Sequence, residues 1–333
     1  MKLKYFLFIF CFLLSCQSSN PDSETPLSEN EIYLHANTFV KWFYSYELDS
    51  LSLYIQDKKF TPHHLKEFRI EVNNQLGKEI ELLSDRIYFL GRDKKIIYGY
   101  VCHSRFSKTE HPVRTLLEFD NNYNIYGFQV VALPDEAPTK FNNYQTKTEL
   151  RLPFEGEWFV AAGGRSVIDN HHAVSVDQKF ACDFLIKKNK YTFTNNGASN
   201  EDYYCFGEKV LAPGDGIIVK VVNDITDNKV GNMPEGAGNL IIIDHENGEY
   251  SVLAHFKKSS IVVKVGETVV SGQFIGLCGN SGHSSQPHLH YHLQTNPIIF
   301  TGEGLPAQFL SYISNGNYVE KGEPSFGETI RNE

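Results

Sequence analysis

Eight of the thirteen histidines lie between residues 171 and 292, in the second half of the chain. In residues 276–293, GLCGNSGHSSQPHLHYHL, a glycine- and asparagine-rich turn precedes His288, His290 and His292. These three histidines alternate along a predicted strand, where residues on one face lie about 6.6 Å apart. One imidazole of such a set can therefore bind a metal ion while its neighbour reaches a water molecule beside that ion.

Three sequence elements follow one another around these histidines. They are residues 252–256 (VLAHF), residues 265–273 (VGETVVSGQ) and residues 276–293. In this order they resemble the M23 (lysostaphin/LytM-type) zinc metallopeptidases, which carry a Tyr-or-similar-x-His-Leu element, a V-x-x-G-x-x-V-x-x-G-Q hairpin and a G-N-(T/S)-G…H-L-H element. The resemblance covers about residues 155–295.

The resemblance implies roles for three of the histidines. His290 matches a zinc ligand, whereas His288 and His255 match the two catalytic histidines that do not bind the metal. We expect His288 to take a proton from water and pass it to the leaving amine. We expect His255 to orient the water or to stabilise the developing oxyanion.

The other two ligands must lie upstream. The compact family motif, a histidine followed four residues later by aspartate, does not occur in this sequence. Residues 170–184 (NHHAVSVDQKFACDF) look like a long-spacing variant in which His172 and Asp183 are the ligands. His171 could take the place of His172, and Asp177 that of Asp183. Because neighbouring strand residues point to opposite faces, we expect only one of the two histidines to face the metal.

Two neutral imidazoles and one carboxylate fit the chemistry of a catalytic zinc ion. Such a set leaves the fourth tetrahedral position open, as in catalytic rather than structural zinc sites. Zn²⁺ held in this way polarises a carbonyl and lowers the pKa of water to about 7. The sequence contains no H-E-x-x-H helix, so a glutamate base of the helical zincins is not expected.

The resemblance implies a zinc-dependent endopeptidase that hydrolyses peptide bonds in peptidoglycan stem or cross-link peptides. The alternative is a catalytically impaired M23-like module that binds peptidoglycan or regulates another cell-wall hydrolase. Relatives of that kind lack metal ligands, whereas this sequence offers a full set. We assign no role to His245, His283 or His292, although His292 shares the strand face and could hydrogen-bond a ligand.

Composition sets limits on the partners. The chain has 333 residues, with 31 Lys and Arg against 40 Asp and Glu, and a formal net charge of −9. This charge argues against a protein that coats nucleic acid. The length predicts about two domains.

The N-terminus predicts export. Residues 1–15 combine Lys2 and Lys4 with an apolar run that is too short to cross a bilayer, as in a signal peptide. The run ends in L-L-S-C, which resembles the lipobox of bacterial lipoproteins and makes Cys16 the acylated membrane anchor. A plain secretory signal with an incidental cysteine is the alternative. Residues 16–30 read as a flexible tether, and we expect a lipoprotein of the cell envelope that faces the periplasm or the cell exterior.

Four further cysteines, Cys102, Cys182, Cys205 and Cys278, allow three disulfide pairings that the sequence does not distinguish. We expect at least two of them to be buried free thiols.

The remaining chain predicts two domains. Residues 31–145 read as two helices followed by four short strands, an α+β unit that looks like the cone-shaped NTF2-like domains and serves in binding or spacing. The sequence does not identify a regulatory protein partner. Residues 146–333 read as a mainly-β M23 peptidase domain whose antiparallel sheet forms a groove. We expect residues 134–148 to be a linker. The residues after about 296, which include 312–318 and the polar ending 320–333, read as a closing strand or two plus a mobile tail.

Overall fold

The computed structural model of the protein describes residues 26–47, 51, 61–92 and 94–333. The predicted export signal, Cys16 and most of the predicted tether lie outside the described residues. The chain divides into two compact units after Leu133, and the second unit begins at Pro134. The sequence boundary was predicted later, at residues 145 and 146.

Two helices open the described part of the first unit. Helix α1 spans Glu29–Ser45 and is preceded by a capping box, in which the Ser28 hydroxyl accepts from the Glu31 N–H and the Glu31 carboxylate accepts from the Ser28 N–H. The predicted tether to residue 30 is therefore wrong at its end, because this box starts the helix earlier. Helix α2 spans Pro62–Gln75, and the Thr61 hydroxyl caps it by accepting from the backbone N–H of His64.

Four antiparallel strands complete the first unit in sequential order: β1 Glu79–Arg92, β2 Lys95–Phe106, β3 Val113–Phe119 and β4 Ile125–Ala132. Strand β1 has 14 residues and is not one of the short strands that the sequence predicts. Its first four residues are exposed, so the alternation of buried and exposed positions that marks a strand is missing there.

The second unit is mainly β, as predicted. Its strands are β5 Trp158–Ala162, β6 Cys182–Leu185, β7 Lys209–Leu211, β8 Gly216–Val222, β9 Leu240–Asp244, β10 Tyr250–Ala254, β11 Thr268–Val269, β12 Phe274–Leu277, β13 Leu289–Gln294, β14 Gly304–Leu305, β15 Phe309–Ser314, β16 Asn317–Gly322 and β17 Thr329–Asn332. In the described chain the large sheet has the order β11-β8-β9-β10-β13-β6-β5-β17-β15-β16, with β14 beside β13, and β12 pairs with β7 separately. Strand β13 is thus central to the sheet.

The core of this unit consists of aliphatic residues and large aromatic side chains. Phe154 stacks on Trp158 with ring centroids 4.7 Å apart, and both are buried. Phe184 and Tyr291 lie on the paired strands β6 and β13 and are fully buried. Together these side chains form a rigid layer beneath the central strands.

The predicted linker packs against the second unit. Glu249 is fully buried and accepts hydrogen bonds from the Tyr144 hydroxyl (2.8 Å), the Lys147 N–H (2.7 Å) and the Thr148 N–H (2.8 Å). A buried carboxylate needs such donors to offset its lost hydration. Residues 144–148 are therefore fixed on the unit by one charged side chain.

The prediction of a mobile tail at residues 320–333 is wrong. Strand β17 pairs with both β15 and β5, where Ile330 lies opposite Trp158. Ile330 is fully buried, so the end of the chain contributes to the core. The polar residues around Ile330 hid this single apolar position from the sequence pattern.

The four cysteines of the described chain, Cys102, Cys182, Cys205 and Cys278, are free and buried. Among the described residues, none of the helices has the length and apolar character needed to span a membrane.

Candidate metal centre

The register of three strands sets the centre of the site. His290 on β13 lies directly opposite Asp183 on β6 and, on the other side, opposite Ala254 at the end of β10. His255 follows β10 by one residue, and His288 precedes β13 by one residue. The pairing of distant segments therefore brings these side chains together.

His172 reaches the same place from a 3₁₀ turn at His171–Val174. The Asn170 amide fixes this turn, because it donates to the carbonyls of Gly164 (2.8 Å) and Ala181 (3.1 Å) while its oxygen accepts from the His172 N–H. The expectation that strand geometry would turn the two histidines to opposite faces is wrong. In the 3₁₀ turn the rings of His171 and His172 lie 3.9 Å apart.

The Asp183 carboxylate joins two imidazoles, one at each oxygen. Its Oδ2 lies 3.0 Å from Nε2 of His172, and its Oδ1 lies 2.9 Å from Nδ1 of His290. Ligand atoms around a tetrahedral zinc ion lie about 3.3 Å apart, given metal–ligand distances near 2.0–2.1 Å. Each of the two imidazole nitrogens is therefore close enough to Asp183 to share an ion with it. The ligand atoms of His171, His172 and Asp183 also all lie within 4.8 Å of one another.

The two alternatives considered from the sequence lie in different positions. His171 Nε2 is 3.8 Å from Asp183 Oδ2, and its side chain is 67% exposed, against 14% for His172. Asp177 is buried, and its Oδ2 accepts from the backbone N–H of Phe300 at 3.2 Å. Its carboxylate is thus used to hold a loop.

A buried hydrogen-bond chain on β13 fixes the tautomer of His290. The Gln294 amide nitrogen donates to the Asn296 carbonyl (2.7 Å), so Gln294 Oε1 accepts from His292 Nε2–H (3.1 Å). His292 Nδ1 must then accept from His290 Nε2–H (2.9 Å). A neutral His290 consequently carries a lone pair on Nδ1.

This tautomer makes the pair of His290 and Asp183 fit a cation. Burial lowers the pKa of His290, which favours the neutral ring. Burial alone raises the pKa of Asp183, but the imidazoles of His172 and His288 hold it well below its usual range, so the carboxylate is charged. In this tautomer His290 Nδ1 and Asp183 Oδ1 are two acceptors 2.9 Å apart, and either a metal ion bound by both or a second proton on the His290 ring removes their repulsion.

His288 and His255 are not part of this donor set, but hydrogen bonds fix which ring nitrogen of each is free. His288 Nδ1–H donates to the Gln286 carbonyl at 2.8 Å, which leaves the Nε2 lone pair 3.7 Å from Asp183 Oδ1. His255 Nδ1–H donates to the Ser281 carbonyl at 2.8 Å. The rings of His255 and His288 lie 4.7 Å apart, so both Nε2 atoms are available at one site.

His255 is held in an uncommon backbone conformation. Its φ of 66° lies in the left-handed region, which costs a residue other than glycine about 1–3 kcal/mol. The side chain is buried, and burial lowers its pKa well below 6.5, so the ring is neutral. The surrounding structure thus stabilises a strained residue beside the metal donors.

Sequence reasoning missed the extended second layer of the site. The suggestion that His292 could hydrogen-bond a ligand agrees with its contact to His290, but sequence reasoning assigned it no role and did not consider Gln294, although residues 290, 292 and 294 alternate on one strand face. That period was the available signal. His255 and His288 donate to the backbone carbonyls of Ser281 and Gln286. Every residue type carries a backbone carbonyl, so the sequence could not identify these partners.

Residues 201–299 match the family model described as Peptidase family M23. Within this segment the chain is similar to the M23 peptidases. The matched segment includes His255, His288 and His290 but begins after His172 and Asp183. The geometry above is therefore what connects the two upstream residues to the M23 match.

Curated proteins that resemble the M23 segment are named as peptidases. The chain is 38% identical over 90 residues to an uncharacterized metalloprotease of Haemophilus influenzae, which is 27% of this chain and 17% of that protein. It is 39% identical over 87 residues to the peptidoglycan DD-endopeptidase ShyA of Vibrio cholerae, 26% of this chain and 17% of that protein. The chain therefore spans less than a fifth of the length of these two relatives.

Solved structures resemble a larger part of the chain at lower identity. The catalytic domain of the prophage-encoded M23 protein EnpA from Enterococcus faecalis is 19% identical, with a TM-score of 0.30, over 47% of this chain and 93% of that chain. The catalytic domain of lysostaphin from Staphylococcus simulans is 21% identical, with a TM-score of 0.27, over 45% and 88%.

Proposed function

We propose that the protein is a zinc-dependent endopeptidase that hydrolyses peptide bonds in peptidoglycan stem or cross-link peptides. The observation that carries the proposal is the convergence of His172 Nε2 and His290 Nδ1 on the Asp183 carboxylate, at 3.0 Å and 2.9 Å. The M23 match and the relative named as a peptidoglycan DD-endopeptidase support the substrate class.

In this proposal His172 Nε2, Asp183 and His290 Nδ1 hold the ion. A bound zinc ion supplies Lewis-acid polarisation of the scissile carbonyl and lowers the pKa of water. Asp183 brings the single negative charge among the three donors, which leaves the site with a net positive charge next to the substrate. His292 and Gln294 keep His290 in the tautomer that offers Nδ1 to the metal.

His288 and His255 act on protons and charge. Nε2 of His288 accepts the proton of the attacking water and later donates it to the leaving amine, because Nδ1–H is held by Gln286. Nε2 of His255 orients the water or stabilises the developing oxyanion, since its Nδ1–H is held by Ser281. Both rings are oriented by backbone carbonyls, so they are placed before substrate arrives.

The proposal also includes a location in the cell envelope. A cell-wall substrate suits the predicted export signal at residues 1–15, the acyl anchor at Cys16 and the tether that follows it. The first unit, two helices on a four-stranded antiparallel sheet, is proposed as an NTF2-like cone that binds or spaces.

Zinc analysis combined with muropeptide digestion tests the proposal. We expect wild type to bind about one zinc ion per chain and to release cleaved stem peptides. His288→Ala is expected to keep the zinc and lose hydrolysis, and His290→Ala to lose both. His63→Ala is the control, because His63 is exposed in the first unit, where it lies 3.3 Å from Glu67.

Two outcomes would contradict the proposal. Stoichiometric zinc in His290→Ala would remove His290 from the ligand set. Zinc binding by wild type without cleavage of any muropeptide would favour the impaired module that binds or regulates.

A further inference from the structure

The first unit contains a cavity that the proposed peptidase chemistry does not use. Its volume is about 910 Å³, within the usual range for small-molecule sites of roughly 300–1,000 Å³. Helices α1 and α2 and strands β1 and β2 supply its walls, which include Val40, Tyr44, Leu82, Tyr100 and Cys102. The walls therefore combine aromatic and aliphatic side chains with polar and charged ones.

One charged side chain in this wall is buried and forms no ion pair with a described residue, although the nearby charge of Glu79 attracts it. Arg69 is 3% exposed, and its Nη2 donates to the Tyr44 carbonyl at 3.1 Å. Its Nε and Nη1 are buried, and no group in the part of the chain that the structure describes accepts a hydrogen bond from them. The guanidinium carbon lies 5.6 Å from the ring centre of Tyr44 and 5.2 Å from that of Tyr46.

The two N–H-bearing nitrogens of Arg69 that lack a partner in the described chain, Nε and Nη1, favour a further acceptor. Arginine stays protonated in proteins and offers five N–H donors but no acceptor. Stacking on the two tyrosine rings offsets part of the lost hydration. The N–H groups of Nε and Nη1 still need acceptors, and charged oxygens form the strongest hydrogen bonds with a guanidinium.

The charges at the cavity rim argue for a single negative charge on the ligand. Lys41 and Lys78 are exposed there, and so are Glu79 and Glu81, so the rim charges balance. Glu79 also accepts a hydrogen bond from the Ser104 hydroxyl at 2.6 Å. A polyanion would be repelled by the two carboxylates, whereas one carboxylate beside Arg69 would not.

We propose that this cavity, the Arg69 cavity, binds a small molecule in which one carboxylate is attached to an aromatic or aliphatic body. The carboxylate accepts from the Arg69 guanidinium, and the apolar body packs against the tyrosine and aliphatic walls. The site is distinct from the metal centre and does not depend on the proposed peptidase function.

A pair of matched probes tests the proposal on the full chain. Isothermal titration compares 4-phenylbutyrate with 4-phenylbutyramide, which has nearly the same shape but no charge. We expect the carboxylate to bind about 10- to 100-fold more tightly, the range expected for hydrogen bonds between charged groups. This comparison uses wild type and needs no variant to fold.

Two variants then assign the effect to one residue. Arg69→Met is expected to lose the preference for the carboxylate, whereas Lys41→Met, which removes an exposed rim charge, is expected to keep it. Thermal unfolding of both variants checks that they fold. Three results would each overturn the proposal: equal affinity of wild type for the two probes, no binding of either probe at millimolar concentration, or loss of the preference in Lys41→Met.

Discussion

Replacing His292 by alanine is expected to weaken zinc binding, although His292 is not one of the three proposed ligands. His292 is buried, and its Nδ1 accepts the Nε2–H of His290 at 2.9 Å. Without zinc, His290 in the variant can move its proton to Nδ1 and donate to Asp183 Oδ1. With zinc bound, Nδ1 is occupied, so the proton must stay on Nε2, where it has lost its acceptor.

The size of the effect follows from that asymmetry. An unsatisfied buried donor costs about 1–3 kcal/mol, and here the cost falls on the zinc-loaded state alone. This corresponds to a zinc dissociation constant about 10- to 100-fold higher, which matches the usual effect of removing an outer hydrogen-bond partner of a ligating histidine. His292→Gln, whose amide oxygen can accept from His290, is expected to recover part of the loss.

Competition with a chromophoric chelator measures the dissociation constants at equilibrium. His245→Ala is the matched control, because His245 is also buried, follows strand β9 of the same sheet by one residue, and bonds to the Asp215 carbonyl and the Ser251 hydroxyl. It is expected to lower stability without changing zinc affinity. Equal zinc affinity of wild type and His292→Ala, or an equal loss in His245→Ala, would refute the tautomer argument.

Three further predictions concern stability. Glu249→Gln should lower the free energy of unfolding by about 2–4 kcal/mol in urea titrations, because its buried charge accepts several hydrogen bonds from residues 144–148. Burial alone raises the pKa of Glu249, but those donors lower the pKa below 4.5 in the folded state. The stabilisation is therefore complete above pH 4.5 and is lost as the pH falls through the pKa of the folded state. The difference in stability between wild type and the variant should shrink in acid. Ile330→Ala should lower the free energy of unfolding by about 2–5 kcal/mol, because it truncates a core side chain. Glu320→Ala, at an exposed strand position, should change stability little. Equal effects of the two variants would contradict the packing of the C-terminal strand. Removal of zinc by a chelator should lower the melting temperature of wild type and leave that of Asp183→Asn unchanged, as calorimetry can show.

Much of the site follows from sequence because its downstream half is local. His288 and His290 lie in one turn and strand, whose glycines and alternating histidines are read directly. The fold class follows in the same way, from helical periodicity and N-caps in the first unit and from short β-branched segments in the second.

The positions of the upstream ligands His172 and Asp183 are harder to predict, because they depend on residues that show no periodicity in the sequence. A 3₁₀ turn at residues 171–174, fixed by the Asn170 amide, decides that His172 rather than His171 lies closest to Asp183. The strand register that sets Asp183 opposite His290 joins segments 107 residues apart. The buried end at Ile330 likewise depends on one apolar residue in a polar segment.

The coordination shell of zinc tests the central claim most directly. X-ray absorption spectroscopy on the zinc-loaded chain should show two imidazole nitrogens and oxygen ligands at about 2.0–2.2 Å, with no sulfur. Asp183→Asn should show altered or absent coordination. A third imidazole in the shell, which would come from His171 or from one of the two histidines assigned to proton transfer, would contradict the account.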